Sequence, residues 1–252
     1  MRFFFHTALC VLGAALSLNV AATQCTSLRV AGASQWFPFA YHDPLVPNIP
    51  QGIAFDVVRL IASDINIPIQ YIDDLPWRRI EQAMLDGSVD LLAGNYANSE
   101  REKAWLLTQP FSEDDVRVFV KPESSIRFDK LKDLENYAGL IPSGVSFGRE
   151  FDDYKHKLNI TEVELHEQMV SMLVSQRADY IVLPRFSGLK RVNLLGYQGK
   201  VIPLDTPVSK NNVHLSMSRE SPCKALLSQI NERILENRKN GNISAIEAKY
   251  AQ

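Results

Sequence analysis

The sequence has no surplus of basic charge, no clustered metal ligands and, past its first residues, no long apolar run. Lysine and arginine together number 27 against 29 acids, for a net charge of −2, and the two signs are interspersed along the chain. A nucleic-acid binder would be expected to show a basic stripe, and none is visible. The five histidines are scattered, with neither a CxxC pair nor an HExxH motif, so neither a metal site nor a cofactor is implied. No segment beyond residue 22 approaches the ~20 apolar residues of a membrane span, so a soluble mature chain without a membrane anchor is expected. Linker-like and low-complexity stretches are missing as well. Cysteine occurs only as Cys10, Cys25 and Cys223.

What is present begins with compartment. Arg2 precedes a mostly apolar run from Phe3 to Leu18, which closes on the small residues of Val20-Ala21-Ala22. That order is the signature of a secretory signal peptide and predicts cleavage after Ala22 and a periplasmic location. Neither Cys10, behind Leu9, nor Cys25, behind Gln24, has the small preceding residue that lipidation calls for. Cleavage removes Cys10 and leaves an even pair. In an oxidising compartment Cys25 and Cys223 read either as a disulfide or as two separate buried thiols. The remaining residues, 23–252, suffice for one large domain or for two of roughly 100 residues.

Strand and helix signals alternate through this stretch. Ser27 to Ala31 reads as a strand, followed by the loop Ser34-Gln35-Trp36-Phe37-Pro38-Phe39. Phe55, Val58, Ile61, Ala62 and Ile65 recur at helical spacing. Ile67 to Ile72 reads as a strand. Trp77, Ile80, Met84 and Leu85 share a helix face that Gly87 is placed to end. Val89 to Ala93 is a buried strand emptying into a polar loop, Gly94 to Glu102. The second half repeats the pattern: a strand at Leu140 to Pro142, a helix over Phe147 to Leu158, a strand at Glu162 to Leu165, a helix through Met169, Leu173 and Val174, and a strand at Tyr180 to Leu183. Met84-Leu85-Asp86-Gly87-Ser88-Val89-Asp90-Leu91-Leu92 parallels Leu173-Val174-Ser175-Gln176-Arg177-Ala178-Asp179-Tyr180-Ile181, which suggests two lobes of similar topology. Strands at Val116 to Lys121 and Asn212 to Met217 stand apart from these units. A helix over Ser221 to Arg238 ends at Asn240-Gly241, and a short one spans Ser244 to Tyr250.

With these segments in place the chain resembles a family 3 periplasmic solute-binding protein, the class serving polar amino acid ABC transporters. The resemblance is carried by Gly87-Ser88-Val89-Asp90-Leu91-Leu92-Ala93-Gly94, by Ser99-Glu100-Arg101 and Thr108-Gln109-Pro110-Phe111, by Gly52-Ile53-Ala54-Phe55-Asp56, and by Asn240-Gly241-Asn242-Ile243 with Lys249-Tyr250. It implies a type II α/β fold of two lobes joined by two crossing strands, with lobe 1 in 23–114 and 211–252 and lobe 2 in 115–210. The C-terminal return would bring Cys223 toward Cys25 and favours the disulfide. Hinge closure on a small molecule held between the lobes is the expected motion. Partners would be that solute and, transiently, an inner-membrane ABC permease, with the protein a monomer.

The same resemblance names candidate site residues. At the place of Arg101 the family grips a ligand carboxylate, for which a guanidinium offers a matching fork; spacing alone reads Arg101 as a surface residue. Trp36 and Trp77 match the aromatic positions that sandwich ligand, although Trp77 also leads an apolar helix face. Asn95 and Tyr96 fall where relatives offer a hydroxyl, or where a large ring would narrow the pocket. Ser143-Gly144-Val145-Ser146 matches a turn whose free N–H groups bind anions, with Ser146 as a plain helix cap as the alternative. One departure stands out. Pro184, followed by Arg185, occupies the position of the acid that pairs with a ligand ammonium, and Arg185 beside Arg101 would favour a second negative group on the ligand. No catalytic residue is expected. The competing readings are a dehydratase-like enzyme of the same fold, with His166 and Glu167 as substitute proton donors, and a sensor that delivers its ligand to a partner other than a transporter.

Overall fold

The computed structural model describes residues 25–43, 45–46, 49–72 and 75–250. The expected signal segment and its cleavage point lie outside the described residues. In chain order, β1 (Leu28–Ala31) leads through the small hairpin β2 (Gln35–Trp36) and β3 (Ala40–Tyr41) to α1 (Ile53–Asp64), β4 (Ile69–Tyr71), α2 (Trp77–Asp86), β5 (Leu91–Tyr96), α3 (Ser99–Ala104), β6 (Trp105–Leu107) and the long strand β7 (Ser112–Val120). Then come β8 (Gly139–Pro142), α4 (Arg149–Tyr154), β9 (Ile160–Val163), α5 (His166–Val174), β10 (Tyr180–Pro184), α6 (Arg185–Leu194), β11 (Ile202–Ser218), α7 (Leu227–Lys239) and α8 (Asn242–Ala248).

The main sheet runs β4-β1-β5-β11-β7-β10-β8-β9, with β6 also paired to β11. Its two ends are alike. β4, β1 and β5 form a parallel triplet, and so do β10, β8 and β9. Between the triplets lie β7 and β11, antiparallel to each other and paired from Val213↔Ser112 to Ile202↔Val120, with register shifts between Pro203 and Ser209. β5, β8 and most of β10 are buried along their length, as expected of parallel strands covered by helices on both faces.

The internal repeat seen in the sequence is a repeat of backbone chemistry. Gly87 and Gln176, equivalent in the two segments, both adopt positive φ, 77° and 61°, and each turns a helix back toward a strand. Three residues later the equivalent aspartates do the same work. Asp90 Oδ2 accepts the Arg29 backbone N–H at 2.8 Å, and Asp179 Oδ2 accepts that of Ala138 at 2.8 Å. Each carboxylate thus ties its own strand to the start of the neighbouring parallel one.

Some expectations change. β5 continues through Gly94 to Tyr96, and Ser99 opens α3, so the segment expected as a polar loop is mostly ordered structure. The reason is the Asn98 side chain, which accepts the Arg101 N–H at 2.8 Å and caps the helix. α4 is shorter than the helix read over Phe147 to Leu158, because it starts only after Gly148 at φ 94°. α7 begins at Leu227 rather than Ser221; the Ser221 hydroxyl instead donates to Asp90 at 2.6 Å and accepts the Cys223 N–H at 2.9 Å. Cys25 and Cys223 are joined by a disulfide, which ties the chain before β1 to the chain before α7.

Candidate functional site

The strand ends of the two triplets face each other across a cleft of about 470 Å³. Trp36, Trp77, Asn95, Tyr96 and Arg101 line it from one side, and Ser143, Ser146, Phe147, His166 and Pro184 from the other.

Arg101 is the third residue of α3, and the Asn98 cap sets its direction. Only 7% of it is exposed. Its guanidinium carbon lies 5.0 Å from the centre of the Trp77 ring and 5.8 Å from that of Trp105. Nη1 donates to the Tyr96 carbonyl at 3.2 Å, and the nearest carboxylate, Glu81, stands 3.7 Å from Nη2. Burial lowers its pKa from the ordinary value, opposed by the charge of Glu81. A buried cation whose one nearby carboxylate stands at 3.7 Å is suited to receive an anion at closer range.

Trp36 and Tyr96 are organised by an acid that sequence reasoning missed. Asp114 on β7 is buried and accepts both the Trp36 indole N–H at 2.8 Å and the Tyr96 hydroxyl at 2.6 Å through Oδ2. The two rings meet edge to face at 5.0 Å. Gly94 makes room for Trp36, since a Cβ there would lie 3.0 Å from its ring. The Tyr96 hydroxyl proton is therefore committed to Asp114, and the side chain lines the cleft. Asn95 is committed as well: its Nδ2 donates to the Tyr96 carbonyl at 3.0 Å and its Oδ1 accepts the Ser216 hydroxyl at 2.6 Å.

The Ser143–Ser146 turn lines the cleft, but several of its donors are engaged. Ser143 Oγ and the Gly144 N–H donate to Glu162 at 3.3 and 3.2 Å. Ser146 Oγ donates to Asp152 at 2.5 Å and accepts the Gly148 N–H at 3.3 Å. Ser146 is thus engaged in the turn that leads into α4, whose N-cap is Gly148.

Arg185 lies elsewhere. Pro184 closes β10 and caps α6, and Arg185 stacks on its neighbour Phe186, its guanidinium carbon 5.4 Å from the ring centre. It lines a second cavity of about 350 Å³ with Asp114, Lys210 and Tyr250, so the structure does not bring it together with Arg101. His166, first residue of α5, does line the cleft; burial and the nearby Arg191 push its pKa down to about 4. Glu167 is paired with Arg191.

α6, which carried no clear periodic signal, supplies contacts between the two sides. The Ser187 hydroxyl donates to the Phe37 carbonyl at 2.8 Å, and Arg191 Nη2 to Gln35 Oε1 at 3.2 Å. Lys190 Nζ lies over the Phe37 and Tyr41 rings. At the other end of the cleft Arg149 pairs with Glu102 at 3.0 Å. The two sides are apposed.

Comparison with known proteins agrees with this architecture. The model of the bacterial extracellular solute-binding proteins, family 3, matches residues 28–252. No curated protein sequence matches the chain significantly. Among solved structures, a histidine kinase sensor domain with similarity to periplasmic binding proteins superposes with a TM-score of 0.77 at 18% identity, over 89% of this chain and 96% of that one. An ancestral arginine-binding protein bound to arginine gives 0.75 at 19%, over 90% and 99%. An ancestral amino acid-binding protein described as a precursor of cyclohexadienyl dehydratase gives 0.73 at 18%, over 90% and 96%. At such identities the likeness shows the fold, a mixed α/β periplasmic-binding-protein fold of type II.

Proposed function

Because the chain belongs to the bacterial extracellular solute-binding proteins of family 3, we propose that it reversibly captures a small polar or anionic solute, an amino acid or related compound, in the cleft. The lobes are 23–114 with 211–252, and 115–210; β7 and β11 cross between them and serve as the hinge. The protein works as a monomer in the periplasm after cleavage at Ala22 and hands its solute to an inner-membrane ABC permease. The observation that carries this reading is Arg101, a buried guanidinium that among the described residues makes one side-chain hydrogen bond and one long ion pair, to Glu81, and lines the cleft between the two sides.

Capture is favoured over turnover by the state of the acids. Asp114 and Asp152 hold protein donors, Glu167 holds Arg191, and His166, its pKa pushed down to about 4 by burial and Arg191, is a neutral imidazole at neutral pH and a weak general acid. A proton donor positioned for dehydratase chemistry is what that alternative would need. The likeness to a sensor domain supports a second delivery route, to a signalling partner rather than a permease, through the same cleft.

The test is thermal unfolding of residues 23–252 against amino acids, di-acids, amines, small peptides and sugars. A solute at a hundred times its Kd stabilises by about 2.7 kcal/mol. A shift that disappears in Arg101→Ala supports the reading. Release of a product in any mixture would instead favour the enzyme.

A further inference from the structure

The cleft is short of acceptors for a cation. Among the described residues, the carboxylates around it are almost all engaged by the protein. Asp114 takes Trp36 Nε1 and the Tyr96 hydroxyl. Asp152 takes the Ser146 hydroxyl and the Phe147 N–H, at 2.5 and 3.1 Å. Glu162 takes Ser143 and Gly144, Glu167 takes Arg191, and Glu81 stands beside Arg101. Glu164 is the carboxylate that lines the cleft itself among the described residues, and it is exposed, where an ion pair contributes little. The wall where β10 ends is Leu183 and Pro184, which bring neither charge nor donor.

The aromatic faces are no refuge for a ligand ammonium either. Trp77 already carries the Arg101 guanidinium 5.0 Å from its ring centre, so a second cation there would be repelled. Trp36 is packed against Phe39 at 4.9 Å and Tyr96 at 5.0 Å. In contrast, one buried cation faces the cleft, and the His166 ring makes no hydrogen bond among the described residues. Leu75, Val145, Phe147, Leu183 and Pro184 make much of the remaining lining apolar; its uncharged polar side chains include Ser34, Gln35, Asn95, Ser143, Ser146 and Ser187.

We infer that the cleft selects a monocarboxylate with an uncharged, largely apolar body and discriminates against the corresponding α-amino acid. Arg101 receives the carboxylate; the apolar walls receive the body; an added ammonium would be buried beside the Arg101 cation with only the exposed Glu164 carboxylate uncommitted. This rests on the reading of the cleft as a solute site.

Calorimetric titration at neutral pH with the matched pairs phenylpyruvate and phenylalanine, and 4-methyl-2-oxovalerate and leucine, tests it. The expected result is keto-acid binding at least tenfold tighter than amino acid binding, lost in Arg101→Ala. Pro184→Asp, which sets an acid on the cleft wall, should narrow or reverse the preference. Amino acids binding the wild type as tightly as keto acids would overturn the inference and leave the solute-site reading standing. So would binding of an uncharged sugar or peptide with neither acid series bound. No binding by any of these, with no small molecule released when the purified protein is denatured, would overturn both.

Discussion

Lys190 on α6 places its Nζ 3.9 Å from the centre of the Phe37 ring and 4.4 Å from that of Tyr41, reaching from one side of the cleft to the hairpin on the other. The ammonium sits between two aromatic faces whose centres are 5.2 Å apart, and burial lowers its pKa from the ordinary lysine value. None of the three residues lines the cleft itself.

The contact should therefore act on closure and not on ligand contacts. Cation–π pairs are worth ~0.5–2 kcal/mol, so Lys190→Met should weaken solute binding by about two- to thirtyfold. Small-angle scattering of the unliganded variant should show a larger radius of gyration than the wild type. Unchanged affinity together with an unchanged radius would remove Lys190 from any role in closure.

Asp114 makes stability depend on pH. Burial raises its carboxyl pKa from 3.8 to about 6, against the lowering effect of the Tyr96 and Trp36 hydrogen bonds. Between those values the folded protein holds a proton that the unfolded chain has released. The contribution is thus fully present below 3.8 and is lost as pH rises through about 6. Asp114→Asn keeps an acceptor for both donors and abolishes the titration. Its stability relative to the wild type should improve by on the order of 2–3 kcal/mol between pH 4 and pH 7. Melting both proteins at the two pH values checks it; a difference that does not move with pH would show that Asp114 has an ordinary pKa.

Much of this was legible before the structure, for identifiable reasons. Gly87 and Gln176 stood in equivalent positions of a repeated helix–turn–strand segment, and a local pattern is all that a turn requires. Trp36, Trp77 and Arg101 carried a family resemblance, and all three line the cleft. Asp114 did not stand out, because its importance lies in meeting Trp36 and Tyr96, 78 and 18 residues away, and it sits in the acidic run Glu113-Asp114-Asp115 just ahead of the strand read over Val116 to Lys121. α6 escaped because Arg185–Leu194 lacks a strong apolar stripe; only Ser187, Gly188 and Val192 are buried along it. The pairing of Arg185 with Arg101 failed because Arg185 opens α6 directly after Pro184 and lines the second cavity instead of the cleft.

The disulfide should matter to the fold and not to the cleft. Cys25 and Cys223 are 198 residues apart in sequence, and loss of such a crosslink typically costs ~2–5 kcal/mol. The double variant Cys25→Ser/Cys223→Ser should melt lower by on the order of 4–20 °C, with solute affinity within twofold of the wild type once folded. A large loss of affinity in protein that still melts cooperatively would mean that the crosslink also positions the cleft.

Gly188 joins packing to closure. It lies inside α6 where alanine would ordinarily favour the helix by ~1 kcal/mol, yet a Cβ there would fall 2.2 Å from the ring of Phe119, a fully buried residue of β7. The clash should outweigh the propensity gain, so Gly188→Ala should be destabilising by ~1–3 kcal/mol. Because Ser187, Lys190 and Arg191 ride on the same helix, moving it off β7 should also weaken solute binding, although no cleft side chain has changed. Adding Phe119→Leu makes space under the helix and should restore part of both losses. If the double variant instead loses the sum of the two single costs, Gly188 and Phe119 act independently, and the close approach of α6 to β7 is not what holds the closing contacts in place.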